Sequence, residues 1–301
     1  MTSTGKVAAM RRAALIYNPR SGRQRHAQVL DAILSTLRAG GFDVEPTPTA
    51  HAGHATELAR QKGREVEVVF AFGGDGTMRE AAAGLLGSPA ALGVIPGGTA
   101  NLLGLALGLP RDPLAAAAVL PALPVRPFDV GLAGGSPFLM MVSAGLDAAV
   151  LGSLDTRLKW RFGKAAIVGH GLRELCRYPF PALGLIADGE RVEATFAAVA
   201  NIPFYGGAFR LAPDARSDDG WLDLVLFRGT GRAAALSFAV DVLRSHHVRR
   251  RDIAVRRVRE VVFEDPAGAP VQVDGDLCPE RLPLSVGLAP ERLSVLAPEE
   301  P

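Results

Sequence analysis

The sequence predicts an α/β domain with an open, mainly parallel sheet flanked by helices, followed by a β-rich and mainly antiparallel domain. Three observations predict it. Strand-like and helix-like segments alternate from Ala13 to about Pro124. After that point short strand-like runs dominate, separated by turn residues. Two glycine-rich turns, Phe72-Gly73-Gly74-Asp75-Gly76-Thr77 and Pro96-Gly97-Gly98-Thr99-Ala100-Asn101, each follow an apolar run and open a helical pattern. Repeated β-α alternation buries a parallel sheet between helices, and ligands of such sheets sit at the carboxyl ends of strands, where both turns fall.

In order along the chain, Ala13–Tyr17 reads as a buried strand and Arg23–Arg38 as an amphipathic helix stopped by Gly40-Gly41. Phe42–Glu45 is a second strand, Ala55–Gly63 a helix and Val66–Phe72 a third strand. The first glycine turn leads into helix Thr77–Leu86, and strand Ala91–Ile95 leads into the second. Asp112-Pro113 opens an alanine-rich helix, with Asp112 as cap and the proline where its missing N–H costs nothing. Beyond Pro124 the strand-like runs are Val125–Leu132, Phe138–Ser143, Leu183–Ala187, Glu190–Ala200, Trp221–Phe227, Arg251–Phe263, Pro270–Val273 and Leu282–Val286. Helical patterns interrupt them at about Gly163–Arg177 and Ala233–Arg244. The domain boundary is placed near residue 125, giving 1–124 and 125–287, with 288–301 returning to the first domain.

The 301 residues suffice for two cores, and 48% apolar with 21% charged residues is ordinary for a globular chain. A net charge of +2 gives no general affinity for nucleic acid. Cys176 and Cys278 make neither a disulfide framework nor a metal pair, which points to a reducing, cytoplasmic setting. No apolar run reaches the roughly 20 residues needed to span a bilayer, so any membrane contact is expected to be peripheral.

Glycines after a strand let backbone N–H groups approach an anion at the positive end of a helix. Neither turn matches Gly-x-Gly-x-x-Gly or a P-loop. Asp75 and Thr77 add a carboxylate and a hydroxyl suited to a magnesium-bound phosphate. Asn18-Pro19-Arg20-Ser21-Gly22 is a third strand-to-helix turn, read either as a helix cap by Ser21 or as another phosphate-facing loop. Three such turns in one half-chain favour a nucleotide-using enzyme.

Asn18-Pro-x-Ser-Gly22, Gly73-Gly-Asp-Gly-Thr77 and Gly93-Val-Ile-Pro-Gly-Gly-Thr-Ala-Asn101 occur in this order. They are followed by Asp129-Val-Gly131, Ser143-Ala-Gly-Leu-Asp147, Asn201 to Gly207, Ala212-Pro213 with Asp218-Asp219-Gly220, and Val273-Asp274-Gly275-Asp276. This collinear set resembles the diacylglycerol kinase and sphingosine kinase family, in particular its bacterial soluble members. The Gly-Gly-Asp-Gly-Thr element alone is shared with NAD kinases and 6-phosphofructokinases.

The resemblance implies an α/β nucleotide domain, a β-sandwich lipid domain and an active site in the cleft between them. It implies an ATP site lined by Asn18, Pro19, Ser21, Gly22, Thr49, Gly73, Gly74, Asp75, Gly76, Thr77 and Thr99. Asp274 is then the general base, with Asp276 as a second carboxylate; read without the family, Asp274-Gly275 is a hairpin turn. Asp276 stands where the family often has glutamate and keeps the charge on a shorter arm. The segment Arg216–Trp221 resembles one that holds a structural Mg²⁺ in some members, through the Asp219 carboxylate and the carbonyls of Arg216 and Trp221. A second Mg²⁺ accompanies ATP. Two departures stand out: Leu102 follows Asn101 where many members have aspartate, and Gly98 replaces a commonly bulkier residue, which is expected to loosen that turn.

Arg244 to Arg259 holds seven arginines, read as a solvated face or as a patch for anionic lipid headgroups. His51-x-x-His54 has a metal-pair spacing but lies in a loop leading into a helix with no third ligand expected nearby, so capping or exposure is expected. The expected reaction is ATP- and Mg²⁺-dependent phosphorylation of diacylglycerol or a related lipid. Alternatives are a sphingoid or ceramide-type kinase, an NAD kinase, or a silent nucleotide- or lipid-binding regulator. The lipid substrate, a peripheral anionic membrane and a homodimer are the partners held open, and nucleic acid is not among them.

Overall fold

The structure is a computed structural model that describes residues 10–19, 25–153, 169–207, 209–264, 269–278 and 282–299, without the side chains of 25–28. These residues form two compact units. The first runs to Phe128 and resumes at Glu291, and the second is Asp129–Pro290.

In the first unit the elements are β1 (Arg11–Tyr17), α1 (Arg25–Ala39), β2 (Phe42–Pro48), α2 (His54–Lys62), β3 (Val68–Gly73), α3 (Asp75–Leu85) and β4 (Ala91–Pro96). They continue with α4 (Leu102–Ala106), α5 (Pro113–Val119), β5 (Val125–Phe128) and, from the far end of the chain, β20 (Leu293–Leu296). The sheet order is β2-β1-β3-β4-β20-β5, parallel throughout except for β5. β3 and β4 are buried along their whole length, which is why Val68–Phe72 and Ala91–Ile95 are unbroken apolar runs. α1 turns Ile33, Leu34 and Leu37 inward. α2 and α3 cross closely enough that a Cβ on Gly84 would stand 2.3 Å from the Thr56 carbonyl. Asp112 caps α5 by accepting from the Ala115 amide at 2.9 Å.

The second unit contains β6 (Gly131–Ala133), β7 (Ser136–Phe138), β8 (Met141–Ala144), α6 (Leu146–Ser153), helical residues 169–175 (α7), β9 (Leu183–Ala187) and β10 (Glu190–Ala194). Then come β11 (Phe196–Ala200), the hairpin β12 (Phe204–Tyr205) with β13 (Phe209–Arg210), β14 (Leu222–Phe227) and α8 (Gly231–Leu243). It closes with β15 (Ile253–Val258), β16 (Glu260–Phe263), β17 (Val271–Val273), β18 (Asp276–Leu277) and β19 (Leu284–Leu288). Two six-stranded antiparallel sheets form, β10-β9-β16-β19-β6-β7 and β15-β14-β11-β8-β17-β18. They enclose one apolar core that includes Phe138, Leu185, Leu224, Phe263 and Val286. Along β14 the residues alternate: Leu222, Leu224 and Leu226 face that core, while Val225 and Phe227 face a second core under α8 with Ala235 and Val242. This is the β sandwich that the sequence implied.

Four runs read as single strands prove to be two each. Residues 125–132 divide at Asp129, with β5 in the first unit and β6 in the second. Residues 138–143, 190–200 and 251–263 each leave one sheet of the sandwich and enter the other, at 139–140, Thr195 and Arg259. Strands that switch sheets make the corners of a sandwich, and each corner here is tied by long-range bonds. Thr195 donates from N and Oγ1 to the carbonyl oxygens of Phe227 and Gly229, and the Arg259 amide donates to Asp188. The start of the Arg23–Arg38 helix and residues 163–168 lie outside the described residues; the remainder of the latter pattern contains α7.

Candidate active site

Residue register brings the predicted nucleotide residues to one edge of the first sheet. Tyr17 pairs with Pro48 on one side and Phe72 on the other, and Gly73 pairs with Pro96. Asn18 and Pro19, Thr49, Gly74 and Gly97 therefore all lie just beyond the carboxyl ends of β1, β2, β3 and β4. Chain direction across the sheet reverses between β1 and β3, the switch point at which such sheets bind ligands. The Thr49 amide donates to the Tyr17 carbonyl at 2.8 Å, fixing that loop against the end of β1. Ser21 and Gly22, with Arg20 and Arg23, lie outside the described residues.

The two glycine turns are in direct contact. Gly97 N donates to Gly73 O at 2.7 Å. An ideal Cβ on Gly98 would stand 2.6 Å from the Gly74 Cα, so only glycine fits at 98 without displacing backbone. The expectation that Gly98 loosens its turn is thus corrected: it is the point of closest approach between the turns. Asn101, at φ 53°, closes the second turn reciprocally, accepting from Gly98 N at 2.8 Å and donating to Gly98 O at 2.9 Å. Asp75 Oδ1 accepts from Leu103 N at 3.2 Å, so the first turn also holds the helix that follows the second.

The first intrahelical bond of α3 runs from Met78 N to Gly74 O. The amides of Asp75, Gly76 and Thr77 therefore have no acceptor within the helix and point out of its positive end. Thr77 packs its side chain over Gly73, where a Cβ would come within 2.7 Å of the Thr77 hydroxyl. Gly76 and Thr99 are exposed. Backbone donors, one carboxylate and two hydroxyls at a switch point have the chemistry to receive a polyphosphate. Asp75, Thr77 and Thr99 suit a Mg²⁺-bound phosphate by their oxygen donors.

In the second unit, Asp274 and Gly275 are the two central residues of the β17–β18 hairpin, at φ 51° and 87°, the pattern of a type I′ turn. The hairpin reading of Asp-Gly is thus correct as far as the backbone goes. The Asp274 carboxylate turns back onto the corner between β7 and β8. It accepts from the amides of Leu139 and Met140 at 2.8 Å and of Met141 at 3.0 Å. Asp276 is exposed at the start of β18.

The loop 216–221 is pinned by buried Asp129, whose amide donates to Ser217 O and whose Oδ2 accepts from Gly220 N at 2.7 Å. Asp219 accepts from Trp221 N at 3.1 Å and pairs with Arg257. Arg257 and Arg259 both lie over the Trp221 ring. Arg216 pairs with Asp218. The single carboxylate proposed for a structural cation is therefore already neutralised by a guanidinium, and a metal there would have to displace Arg257. Burial first, then the Asp219 and Asp214 charges, against the opposing pull of Arg257, push Asp223 up to about 6.

Several structural partners escaped the sequence reading. Glu80 on α3 accepts from Gly53 N and Ala55 N at 2.9 and 3.2 Å, capping α2 from a neighbouring helix. Buried Asn201 donates to the carbonyls of Asp129 and Leu139 at 2.8 and 2.9 Å. Asp147 accepts from Ser143 and from Tyr205 OH, and burial raises its carboxyl despite these bonds. Burial and then the Asp147 charge push the Tyr178 phenol up to about 12. The metal-like pair His51 and His54 does gain a third neighbour, Glu57. His54 Nδ1 accepts from Ala50 N at 2.9 Å, a bond within the loop that leads into α2 and not a helix cap.

The fold and its turns define a two-domain protein of the kinase type. The model of the diacylglycerol kinase catalytic domain matches residues 12–133, and that of the YegS C-terminal NAD kinase beta sandwich-like domain matches 140–297. A Bacillus subtilis (strain 168) protein named diacylglycerol kinase is 31% identical over 274 residues, covering 89% of this chain and 90% of its own. A Chromohalobacter salexigens protein named a probable lipid kinase YegS-like is 31% identical over 292 residues, 95% of this chain and 93% of its own. A solved Bacillus anthracis protein, named only as a candidate diacylglycerol kinase, superposes with a TM-score of 0.83 at 25% identity over 99% of both chains. The chain belongs to the diacylglycerol kinase family of lipid kinase-type phosphotransferases, and that membership implies a nucleotide co-substrate. Among the described residues, no helix is long and apolar enough to cross a membrane.

Proposed function

We propose that the protein transfers the γ-phosphoryl group of ATP, as its Mg²⁺ complex, to the hydroxyl of diacylglycerol or a related long-chain alcohol. The observation that carries this reading is the contact between the two glycine turns at the switch point. It is supported by the register of β1 to β4, which ends at the amides of α3 and at Asp75, Thr77, Thr99, Asn18 and Thr49 along one edge of the sheet. Asp75 would be the carboxylate that holds Mg²⁺, which when bound would neutralise charge on the phosphates. The acceptor oxygen attacks the γ-phosphorus, the bond to the bridging oxygen breaks, ADP leaves and the hydroxyl proton passes to Asp274. Little covalent work is asked of the protein in such a transfer, so a carboxylate held rigidly in place serves it well. The three amides on Asp274 supply that rigidity. The acceptor class is supported by the names of the relatives.

The test is γ-phosphate transfer from ATP to diacylglycerol, monoacylglycerol, sphingosine, ceramide and NAD. Transfer mainly to diacylglycerol supports the proposal; transfer mainly to a sphingoid or to NAD replaces it, and transfer to none leaves a silent binder. Asp75→Asn keeps an acceptor for the Leu103 amide while removing the charge, so a fall in turnover with an unchanged melting temperature reports chemistry. Asp274→Asn puts an NH₂ before amide donors, so its turnover is read beside its thermal stability and beside exposed Asp276→Asn.

We also propose peripheral docking on an anionic membrane, through a narrower face than the arginine run suggested. Arg250 is held by Asp241 and Asp252, Arg256 by Glu190 and Arg257 by Asp219. Arg244, Arg249 and Arg251 are exposed. The same stretch of chain exposes Arg232, Leu236 and Leu243 on α8 and Val248 after it. Leu236→Ser with Leu243→Ser is expected to reduce sedimentation with phosphatidylglycerol vesicles. Equal binding of wild type to neutral and anionic vesicles would sink the idea.

A further inference from the structure

The turn that carries Asp274 is under conformational demand. Asp274 is a non-glycine residue in the left-handed region, and the following Gly275 is left-handed too. Such a turn persists when its surroundings determine it. One determinant is the Gly275 amide, which donates to Gln272 Oε1 at 2.7 Å. Gln272 is 1% exposed and sits on β17 directly opposite Ser143 of β8. Its Nε2 donates to the Ser143 hydroxyl oxygen at 2.6 Å. Ser143 is fully buried, and its hydroxyl donates to Asp147 Oδ2, the oxygen that also accepts from Tyr205 OH at 2.9 Å.

Every link in this chain has a direction. A hydroxyl has one proton, and Asp147 Oδ2, which already accepts from Tyr205 OH, receives it whichever state the other carboxylate oxygen is in. With its proton given to Asp147, Ser143 has only lone pairs for Gln272, which must answer with its NH₂. The other end of the same amide is then its oxygen, the atom that the Gly275 N–H requires. Flipping the amide would set NH₂ against N–H at the turn and oxygen against lone pairs at Ser143. Two mismatches arise from one rotation, and the one at Ser143, which is fully buried, has no water to turn to. Aligned links of this kind polarise one another.

We propose that Gln272 is the positioning residue of the Asp274–Gly275 turn, and that Asp147, acting through Ser143, selects the amide orientation that lets it hold that turn. The inference rests on the reading of Asp274 as the group that receives the hydroxyl proton. Gln272 does its work behind the turn, with no need to touch nucleotide or acceptor. Ser143 and Asp147 are worth keeping for the same reason, because without them the amide has no preferred face.

The experiment uses the full-length protein carrying Gln272→Met, which keeps length and apolar volume but has no group to pair with Gly275, together with Ser143→Ala, which leaves Gln272 intact and removes its guide. Steady-state kinetics with ATP and diacylglycerol vesicles are measured beside amide hydrogen exchange at Gly275. Both variants are expected to lose about 10- to 100-fold in kcat with KM for ATP changed less than about twofold. Exchange at Gly275 is expected to quicken at least about tenfold, while core amides of β11 and β14 keep their protection. Gln272→Glu retains an acceptor for Gly275 and is expected to recover part of the kcat lost in Gln272→Met. The proposal is overturned if Gly275 exchange is unchanged in Gln272→Met, or if exchange quickens and kcat stays at the wild-type value. A general loss of protection would mark misfolding, and Ser143→Ala, smaller in its disturbance, then decides by the same two readouts. If the wild type transfers phosphate to no acceptor, the kinase reading fails by itself, and the exchange result still decides whether Gln272 holds the turn.

Discussion

Gly76→Ala separates the folding of the first glycine turn from its proposed use. Gly76 lies in the first turn of α3, outside the left-handed region, exposed, and with nothing within 4 Å of where a Cβ would stand. A helix prefers alanine to glycine there by about 0.5–1 kcal/mol. For a chain of this size that is a rise in melting temperature of about 1–4 °C. The added methyl also leans toward the helix N-terminus, as every Cβ of a helix does, and so toward the space where the amides of Asp75, Gly76 and Thr77 point. If a phosphate sits there, it meets a methyl group at van der Waals distance and must retreat from its donors by a large part of an ångström. Displacements of that order cost up to about 100-fold in phosphoryl-transfer rate, and tens of fold in nucleotide affinity. Titration calorimetry with Mg·ATP and differential scanning calorimetry on the same sample give both numbers. A more stable protein with unchanged ATP affinity would refute the anion seat at α3, however well the fold survived.

Three further outcomes are expected. Gly98→Ala forces the two turns at least about 0.8 Å apart to restore ordinary contact with the Gly74 Cα; because the second turn is exposed, the loss should appear as about 10-fold weaker ATP binding with about 1 kcal/mol of stability. Glu80→Ala removes both acceptors from the start of α2 and should cost about 1–2 kcal/mol in urea unfolding, without the additional loss of ATP turnover expected from a phosphate contact. For Asp223, with a folded-state value raised to about 6, the folded protein holds the proton more tightly than the unfolded chain. Its contribution to stability is complete below about pH 4 and is lost as pH rises through about 6. The shift corresponds to at most about 3 kcal/mol, or about 1–2 after allowance for the solvent-exposed charges around it. Asp223→Asn should therefore stabilise at pH 7.5 and not at pH 4; an equal change at both would contradict the assignment.

The first unit was largely legible because its signals are local. Val68–Phe72 and Ala91–Ile95 are buried on both faces, so each appears as an unbroken apolar run ending in glycine. Asp112-Pro113 announces the start of α5 and does cap it. The sandwich was less legible at its corners, since nothing in Phe138–Ser143 or Glu190–Ala200 marks where a strand changes sheets. The bonds that fix those corners come from residues far along the chain, such as Phe227 and Gly229 for Thr195, and Asp274 for Leu139 to Met141. The same distance hid Glu80, whose role depends on α2 and α3 lying side by side. It also hid Arg257, 38 residues from the Asp219 that it pairs with. The edge proposed for the nucleotide was readable as motifs, but the backbone contact between Gly74 and Gly98 follows from strand register and carries no local sequence mark beyond the glycines themselves.

The position of β20 has a consequence for how the chain must be made. It lies between β4 and β5, parallel to one and antiparallel to the other, so the first sheet is completed by residues synthesised after the whole of the second unit. Residues 129–290 form a covalent loop between the two strands of this sheet, and closing a loop of that length costs about 4–5 kcal/mol of chain entropy. A nascent chain that has emerged only as far as β5 holds β4, apolar on both faces, with one edge unpaired and no strand yet available for it. The sandwich has no such debt, since both of its sheets lie within its own stretch of chain. Folding on the ribosome should therefore run against the order of synthesis, with the second unit complete first and the first sheet assembled only when β20 is released.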